Sequence, residues 1–561
     1  MTSRKLLLPI ALGLVMLISC GTGLAQTGSA WEPWGPRADE IIMTIIGERQ
    51  IALERGLVDV APEIGGGSIA KLKSNRNIDL VMTPRFSASY LWFNMRRAPL
   101  DADPVRQAMA CIVDRDAITS KILKSEAIPL ATIVPPWNPY FNSNTAAFPY
   151  DLTKAGEILD RAGYTVDRKT KMRIDPNTGK TMREMKILTP KAESSPTRAQ
   201  IGKMIADAAR KVGLPVKHEP VDFLDMVGMV DDRNFDMYIR AWSLSRNPDY
   251  LESLFHSRNA GEGGYNTSGI ALPELDQALE DLERAPDLDA ARQAAMEAQA
   301  IIARKQPMAI LYSEVNYAGF RKDKVTGYVS MPGYGAAGYN NKWTQLNIRN
   351  IKDKANTVRW LLANDPRTLN PCTASSQYDM EPLMWITDKL IEVHPETLED
   401  VPWLAKEWEV DTWEAEPGRT ATVVTLHLQE GVKWHDGMPF TAEDIKFTID
   451  YLRDNVVFRY FNLTRNVARV QLTSRYTVKV YFDSVSCWNL YCLGELPILP
   501  KHIWKDVKDW KAFEPWNEPH PTVKGLTKLI GTGPFIFKEY KPGKHVRLVK
   551  NPNYWRLPAA E

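Results

Sequence analysis

The segment Lys433–Gly437, KWHDG, places His435 beside Asp436, and Glu443 and Asp444 follow a few residues later. An adjacent imidazole and carboxylate are residue types that general acid–base catalysis and metal binding use. Either chemistry needs further convergent groups, and no H-x-x-x-H, HExxH or G-x-S-x-G motif occurs in the sequence. With eight histidines in 561 residues, a histidine-rich metal site is not expected.

A structural turn is the competing interpretation of the same segment. Thr441 is the predicted N-cap of the helix TAEDIKFTIDYLRDN, whose first turn carries two acidic residues that complement the helix dipole. Asp436 and Gly437 form a turn dipeptide, and Pro439 continues the turn. KWHDG then connects the predicted strand TVVTLHL to this helix. We interpret it as a turn rather than as a catalytic or metal-binding pair.

Length and charge limit the classes of function. A chain of 561 residues exceeds what one hydrophobic core supports, so more than one lobe or domain is expected. The 70 basic and 68 acidic residues nearly cancel. A nucleic-acid partner is therefore not expected. After the first segment no run approaches ~20 apolar residues, so no membrane span is predicted.

Residues 1–25 are predicted to be a signal peptide, because Arg4 and Lys5 precede the short apolar run LLLPIALGLVMLIS. LISC, ending at Cys20, resembles a bacterial lipobox, which implies a lipidated Cys20. GLA, ending at Ala25, resembles an ordinary cleavage site and is the alternative. Both predict export, to the periplasm or the cell surface, with the lipid anchor at Cys20 slightly favoured.

Four cysteines remain after Cys20, and an exported chain can oxidise them. Cys487 and Cys492 are close enough in sequence for a small loop disulfide. Cys111 and Cys372 are predicted either to pair or to be buried thiols. The C-x4-C spacing has no second pair and no nearby histidine, so it does not predict zinc.

The predicted elements change character along the chain. Residues 86–320 alternate strand and helix patterns, which predicts an α/β lobe with a mixed, largely parallel sheet. Within it, Asp103 is a predicted N-cap with Pro104 at the first helical position. Residues 345–356 are polar and aperiodic, which predicts a connector. After it come short strands with turns between them and only a few helices.

Several stretches together resemble one family. KWHDG and the helix start after it resemble the signature of the family 5 extracellular solute-binding proteins, the peptide- and nickel-type receptors of ABC importers. Stretches similar to the first half of that family are ANDPRTLNP, LAKEWEVD, LPILPKHIW and LIGTGPFIFKEYKPGKHVRLVKNPNYW. Stretches similar to its second half are FNMRRAPLDADPVRQAMACIVDRDAI and AWSLSRNPDYL. They cover almost the whole chain after the signal.

The order of these stretches departs from the family. Residues 31–349 resemble the second half and residues 356–555 resemble the first. We therefore predict a circularly permuted chain, in which the segments near Trp31 and Trp555 are spatial neighbours in lobe one. The alternative is a gene-assembly artefact that joins two fragments.

The resemblance implies a fold class: α/β, a two-lobe periplasmic-binding-protein-like fold (type II, large cluster C form), circularly permuted. The implied domains are a signal peptide or lipoprotein signal at 1–25, a lobe one segment at 31–85, lobe two at 86–325, a return crossover and connector at 326–355, and the main part of lobe one at 356–561.

The same resemblance implies the function. The chain is expected to be the extracytoplasmic substrate-binding protein of an ABC importer, capturing an oligopeptide-like solute between two lobes by hinge closure. It would be a monomer that docks on the permease subunits in the membrane, without a cofactor and without enzymatic activity. An oligosaccharide-binding receptor of the same fold is the first alternative. A secreted hydrolase is the alternative from another class.

Ligand-contacting residues are expected mainly in the loop that starts at Trp242. Peptide-binding members of the family place an acidic residue a few positions after this tryptophan to hold the peptide ammonium. That position is Ser245 here, followed by Arg246, and an ammonium without a carboxylate partner is costly to bury. The candidate ligand-binding residues are Trp242, Ser245, Arg246, Asn247, Asp249, Trp137, Tyr140 and Asn370. No catalytic residue and no metal ligand is predicted.

Overall fold

The computed structural model describes residues 31–558, apart from 125, 146–147, 335–337 and 339. The predicted signal segment, including Cys20, lies outside the described residues. Within the described part, no helix combines the length and the apolar character needed to cross a membrane.

The elements are numbered in chain order. The strands are β1 (Glu40–Ile45), β2 (Val60–Ile64), β3 (Ile78–Pro84), β4 (Ser87–Phe93), β5 (Ala127–Pro129), β6 (Met185–Pro190), β7 (Val216–Val221), β8 (Met237–Ser243), β9 (Met308–Arg321), β10 (Val325–Thr326), β11 (Arg349–Asn350), β12 (Thr357–Leu362), β13 (Ile391–Val393), β14 (Asp400–Pro402), β15 (Ala405–Glu416), β16 (Arg419–Leu428), β17 (Val467–Ser474), β18 (Thr477–Phe482), β19 (Phe535–Lys541) and β20 (His545–Lys550).

The α-helices are α1 (Arg49–Glu54), α2 (Gly66–Lys73), α3 (Asp103–Cys111), α4 (Arg115–Ala117), α5 (Leu152–Arg161), α6 (Pro196–Lys211), α7 (Phe223–Asp231), α8 (Tyr250–Phe255), α9 (Pro273–Glu283), α10 (Leu288–Lys305), α11 (Lys342–Asn347), α12 (Gln377–Ile386), α13 (Ala442–Asp454), α14 (Phe458–Thr464), α15 (Trp488–Gly494) and α16 (Lys501–Trp504). A π-helical turn, Ile118–Ile122, follows α4, and a 3₁₀ turn, Ser257–Asn259, follows α8.

Two lobes are joined by a shared strand, β9. Its first part, Met308–Tyr312, pairs with β4 in lobe two, and its last part, Val315–Arg321, pairs with β3 in lobe one. Since β3 runs almost directly into β4, the chain crosses between the lobes twice, side by side. Two α/β lobes joined by crossover strands are what the resemblance implies. The return crossover is β9 itself, so the structure places the end of lobe two before residue 325.

Lobe two is built around β4, which is buried along its whole length. Leu91 and Phe93 pack into the core formed with α3, α5 and α6, whereas Tyr90 and Trp92 pack into the core formed with α8, α9 and α10. This alternation follows from the two-residue period of a strand covered on both faces. β4 pairs antiparallel with β8, and β6 is parallel to both β7 and β8, so the sheet is mixed.

Lobe one brings the two ends of the described chain together. β1 lies between β12, which is parallel to it, and β20, which is antiparallel. Beyond these strands, the main-chain N–H of Gly35 donates to the carbonyl of Arg556 at 3.0 Å. The predicted proximity of the two segments is therefore confirmed, while the permuted order itself stays a prediction. A separate antiparallel sheet, β15-β16-β18-β17, packs against α13.

Two local expectations are corrected. Ala102, not Asp103, is the N-cap residue of α3, and its side chain has no oxygen with which to cap the helix. The predicted connector 345–356 begins inside α11, whose polar residues are buried. Sequence reasoning missed α11 because its polar groups are satisfied by partners distant in sequence, such as Asp388, which pairs with Lys342 at 2.9 Å.

Candidate functional site

The candidate site is the space between the lobes. Arg246 makes one of the contacts that join the lobes there. This residue lies in the loop between β8 and α8 of lobe two. One guanidinium nitrogen donates to the carbonyl of Leu398 at 2.6 Å and the other to Asp400 at 2.5 Å, both in lobe one. Arg246 therefore ties the loop to the opposite lobe.

A second contact between the lobes involves α15. The Trp488 indole N–H donates to the carbonyl of Leu282 at 2.9 Å, and the main-chain N–H of Cys487 donates to the carbonyl of Ala285 at 2.7 Å. The ring of Tyr140 lies 5.7 Å from that of Trp488. Tyr140 thus packs at the contact between the lobes, where it is buried.

The charged side chains of Lys389 and Glu495, in lobe one, lie near Arg246 of lobe two. Lys389 Nζ donates to both carboxylate oxygens of Glu495, at 3.0 and 2.9 Å. The two side chains remain 39% and 35% exposed although protein surrounds them. Burial raises the pKa of the neighbouring Tyr334 to about 12, against the opposing positive charges of Arg246 and Lys389. Lys389 and Glu495 thus form a partly exposed ion pair beside the contact between the lobes.

Asp249 lies at the end of the loop of lobe two that carries Arg246. Its side chain is open to solvent, yet the surrounding protein desolvates it and raises its pKa. The Ser245 hydroxyl donates to Asp249 Oδ1 at 2.9 Å, and this hydrogen bond opposes the rise. Ser245 is therefore engaged within its own loop, and a carboxylate stands four residues after the position where the family resemblance places one.

The remaining predicted residues of this loop have different environments. Trp242 is half-buried, and its ring meets that of Tyr265 edge-on at 5.0 Å. Asn247 is 4% exposed, and its Nδ2 has no hydrogen-bond partner among the described residues. Asn138 Nδ2 donates to the Arg246 carbonyl at 2.8 Å, which holds the segment of Trp137 against the loop. The structure thus brings these predicted residues together.

The structure places Asn370 away from the predicted site. Its side chain is 0% exposed. Its Nδ2 donates to the carbonyls of Trp510 and Phe513 at 2.8 and 2.7 Å, and its Oδ1 accepts from the main-chain N–H of Cys372 at 2.8 Å. Every polar atom of this amide is used in the fold, so the structure does not bring Asn370 to the space between the lobes.

Lys389, Glu495 and Tyr334 were not predicted. They come from segments that are far apart in sequence, and none belongs to a motif with a known spacing. The one available signal was the pair of charged residues, Asp388 and Lys389, in TDKLI, within a stretch that is otherwise largely apolar. That signal does not say which way either side chain faces.

The KWHDG segment is a structural turn, as interpreted from the sequence. His435 Nδ1 accepts the main-chain N–H of Gly531 at 3.2 Å, so Nε2 carries the proton and donates to the carbonyl of Gly533 at 3.0 Å. Burial lowers the pKa of His435 to about 4, which keeps the imidazole neutral. Both ring nitrogens are used in holding the turn against the segment Gly531–Gly533.

Asp436 belongs to a group of metal-ligating residue types. His502 Nε2 and His520 Nε2 donate to Asp436 Oδ2 at 2.7 and 3.0 Å. His520 Nδ1 accepts the main-chain N–H of Val523 at 3.0 Å, so its single proton in the neutral form is on Nε2. A metal bound at that nitrogen would displace this proton. The arrangement therefore fits two hydrogen bonds to a carboxylate better than a metal.

A separate cavity of about 310 Å³ lies where the crossovers meet lobe one, lined among others by Arg85, Asn316, Tyr334 and Glu381. Glu381 Oε1 accepts the indole N–H of Trp360 at 2.6 Å. Burial raises the pKa of Glu381 to about 8, so the carboxyl is largely protonated near neutral pH. Tyr334 lines this cavity and also lies near Lys389.

The described cysteines are free thiols. Cys111 lies in the core of lobe two and Cys372 in a core of lobe one, which excludes their pairing in this structure. Cys487 precedes α15 and Cys492 lies within it, and no disulfide joins them. Burial raises the pKa of the Cys492 thiol to about 11, which disfavours the reactive thiolate.

The sequence profile of the bacterial extracellular solute-binding proteins, family 5 Middle, matches residues 31–262 and 399–560, more than half of the chain. The dipeptide-binding protein of Escherichia coli (strain K12) is 23% identical over 305 residues, which cover 53% of this chain and 54% of that protein. The glutathione-binding protein GsiB of Escherichia coli O6:K15:H31 is 26% identical over 312 residues, covering 54% and 58%. The chain thus spans about half the length of the curated relatives it matches.

Among solved structures, the oligopeptide-binding protein AppA from Bacillus subtilis, in complex with a nonapeptide, shares 21% sequence identity. The superposition has a TM-score of 0.43 and covers 53% of this chain and 57% of AppA. A nickel ABC transporter structure from Bacillus halodurans shares 21% identity with a TM-score of 0.46, covering 51% and 58%.

Proposed function

Because the chain belongs to the bacterial extracellular solute-binding proteins of family 5, we propose that it is the substrate-binding protein of an ABC importer. The observation that carries this proposal is the pairing of two lobes, which the chain connects at β3–β4 and at β9, with the partly exposed ion pair Lys389–Glu495 beside the contact between them. Such a hinge permits closure on a solute, which makes contacts in the closed state that the open state lacks. The closed form would dock on the permease subunits.

The proposed solute is an oligopeptide. Relatives of this chain are named for binding a dipeptide or glutathione. Asp249 and Glu495 provide carboxylates that could meet a peptide ammonium, which Ser245 alone could not. An oligosaccharide remains the second candidate, because Trp242 presents a half-buried ring suited to stacking on a sugar.

Mass spectrometry of the solute that co-purifies with the protein, followed by calorimetry, tests this proposal. We expect the wild type to bind tripeptides and not maltotriose, and to release them unchanged after prolonged incubation. Binding of maltotriose alone would establish the oligosaccharide alternative. Accumulation of cleaved peptide would support the hydrolase alternative and contradict the receptor proposal.

We further propose that the protein is exported and is held to the membrane by a lipid on Cys20. The support is the LISC segment at the end of a predicted signal. Cys20→Ala should abolish lipid labelling and release the protein from the membrane fraction. Unchanged processing and membrane association of Cys20→Ala would instead establish the ordinary cleavage after Ala25.

A further inference from the structure

We propose that Ser486, Cys487 and Trp488, at the start of α15 in lobe one, form a latch that holds the end of α9 in lobe two by protein contacts alone. The latch sets the fraction of the protein whose lobes are joined before a solute arrives. This inference goes beyond the proposed function, because it names residues that control the equilibrium between joined and separated lobes without touching the solute.

The first support is a set of three hydrogen bonds between the lobes. The Ser486 hydroxyl donates to the carbonyl of Glu283 at 2.9 Å, beside the bonds that Cys487 and Trp488 make. α9 ends at Glu283, and the last carbonyls of an α-helix have no partner within the helix. When the lobes separate, only water can satisfy these carbonyls. Lobe one thus caps a helix that belongs to lobe two.

The second support is that the latch is held in place by its own lobe. The main-chain N–H of Ser486 donates to the Thr422 hydroxyl of β16 at 3.0 Å. Farther along α15, Leu490 and Leu493 pack in a core of lobe one. A segment that is already fixed loses little conformational freedom when it binds, so most of the energy of its hydrogen bonds is available to join the lobes.

The third support is the position of the Cys487 side chain. It is 6% exposed and packs in a core whose other buried members lie between Ala88 and Ile310, in lobe two. Burial raises the pKa of this thiol to about 12, which disfavours the reactive thiolate. Separation of the lobes must withdraw Cys487 from that core and expose it to water. The latch therefore includes apolar burial as well as hydrogen bonds.

The chemistry of the latch distinguishes it from a solute contact. Each of its donors and acceptors is a protein group, so the three hydrogen bonds form with or without a solute. A residue that contacts the solute stabilises only the loaded protein. Latch residues stabilise the joined state of the empty protein too, and they shift its population in the way that any differential contact shifts a two-state equilibrium.

The test measures the alkylation of Cys487 by iodoacetamide in the absence of solute, with mass spectrometry to follow each cysteine. We expect slow labelling in the wild type. Ser486→Ala and Trp488→Phe each remove one donor and should raise the rate about three- to ten-fold, and the double variant should raise it further. Cys111 and Cys372 should stay unlabelled throughout, because separation of the lobes leaves the cores that bury them intact.

Three further variants complete the experiment. Ser486→Thr keeps the hydroxyl donor and should label at nearly the wild-type rate. Ser194→Ala removes a hydroxyl that donates to the carbonyl of Lys191 within lobe two at 3.1 Å, and it should not change the rate. Arg246→Ala leaves the latch residues unchanged, and it should still raise the labelling of Cys487, because it separates the lobes from another point.

The outcomes decide the inference. An unchanged Cys487 rate in the double variant, or wild-type labelling of Cys487 as fast as that of the half-buried Cys492, would overturn the latch. A rise confined to the latch variants and absent from Arg246→Ala would show local fraying of α15 instead. Parallel labelling of Cys111 and Cys372 would show that the contact stabilises the whole fold, which also overturns it. Since no solute is used, the result is independent of whether the solute is a peptide.

Discussion

Arg246 of lobe two and Asp400 of lobe one form an ion pair at 2.5 Å, with side chains only 8% and 16% exposed. The same guanidinium donates to the carbonyl of Leu398. A pair this sheltered is screened little by salt, and removing one partner leaves the other charge partly desolvated. The sequence makes Arg246 a candidate for contacting the solute. In the structure, its side chain instead joins the two lobes.

Arg246→Ala should shift the protein toward the open form. The closed form loses two hydrogen bonds, so we expect solute affinity to fall by about 2–4 kcal/mol. Small-angle scattering should show a larger radius of gyration in the absence of solute. A double-mutant cycle with Asp400→Asn should give a coupling energy well above 0.5 kcal/mol. Additive effects of the two substitutions would show that Arg246 acts on the solute rather than through Asp400.

Glu381 should give the stability of lobe one a distinctive pH dependence. Its pKa is about 8 in the folded protein, against an ordinary value of 4.5. Between these pH values the folded protein binds more protons than the unfolded chain. The neutral carboxyl therefore contributes fully to the free energy of unfolding below about pH 4.5. This contribution is lost as the pH rises toward 8.

Glu381→Gln tests this, because the amide oxygen still accepts from Trp360 and cannot ionise. Denaturant unfolding at pH 8 should show the variant more stable than the wild type by about 2 kcal/mol or more, and the difference should vanish near pH 4.5. Glu157→Gln, at an exposed pair with Arg161, is the matched control and should show no such trend. If Glu381→Gln were more stable than the wild type by the same amount at every pH, a raised pKa at Glu381 would be contradicted.

The Asp436 carboxylate should contribute to stability without a metal. Asp436→Asn removes the charged acceptor of His502 and His520 and should lower the free energy of unfolding by about 2–3 kcal/mol. The melting temperature of the wild type should be the same with zinc and with a chelator, because the proton on His520 Nε2 occupies the position a metal would take. A large zinc-dependent rise in melting temperature that Asp436→Asn abolishes would establish a metal site instead.

The permuted order of the halves can be tested by restoring the order of the family. Arg556 and Gly35 share a main-chain hydrogen bond. A short linker between these segments, with the chain opened between 350 and 357, should give a protein with an unchanged circular dichroism spectrum and solute affinity. Opening the chain inside β9 instead should prevent folding, because β9 belongs to both lobes. Failure of the relinked protein to fold would contradict the permutation.

Much of the local structure follows from the sequence alone. Thr441 and Asp444 form the capping box that begins α13, and Gly163 ends α5 in the left-handed conformation expected of a glycine. These features depend on residues within one or two turns of each other, so neighbouring residue types suffice to encode them. The family motifs likewise predicted the two lobes and the turn at His435, because each motif is a contiguous run.

Which residues come together at the candidate site depends on the tertiary structure. Lys389 and Glu495 are 106 positions apart in the chain, and Arg246 and Asp400 are 154 apart. Nothing local distinguishes these charges from the many others on the surface, and nothing local shows that Asn370 is wholly enclosed. An ion pair forms wherever two side chains are brought within a few ångströms in a place shielded from water, and that condition depends on how the lobes pack.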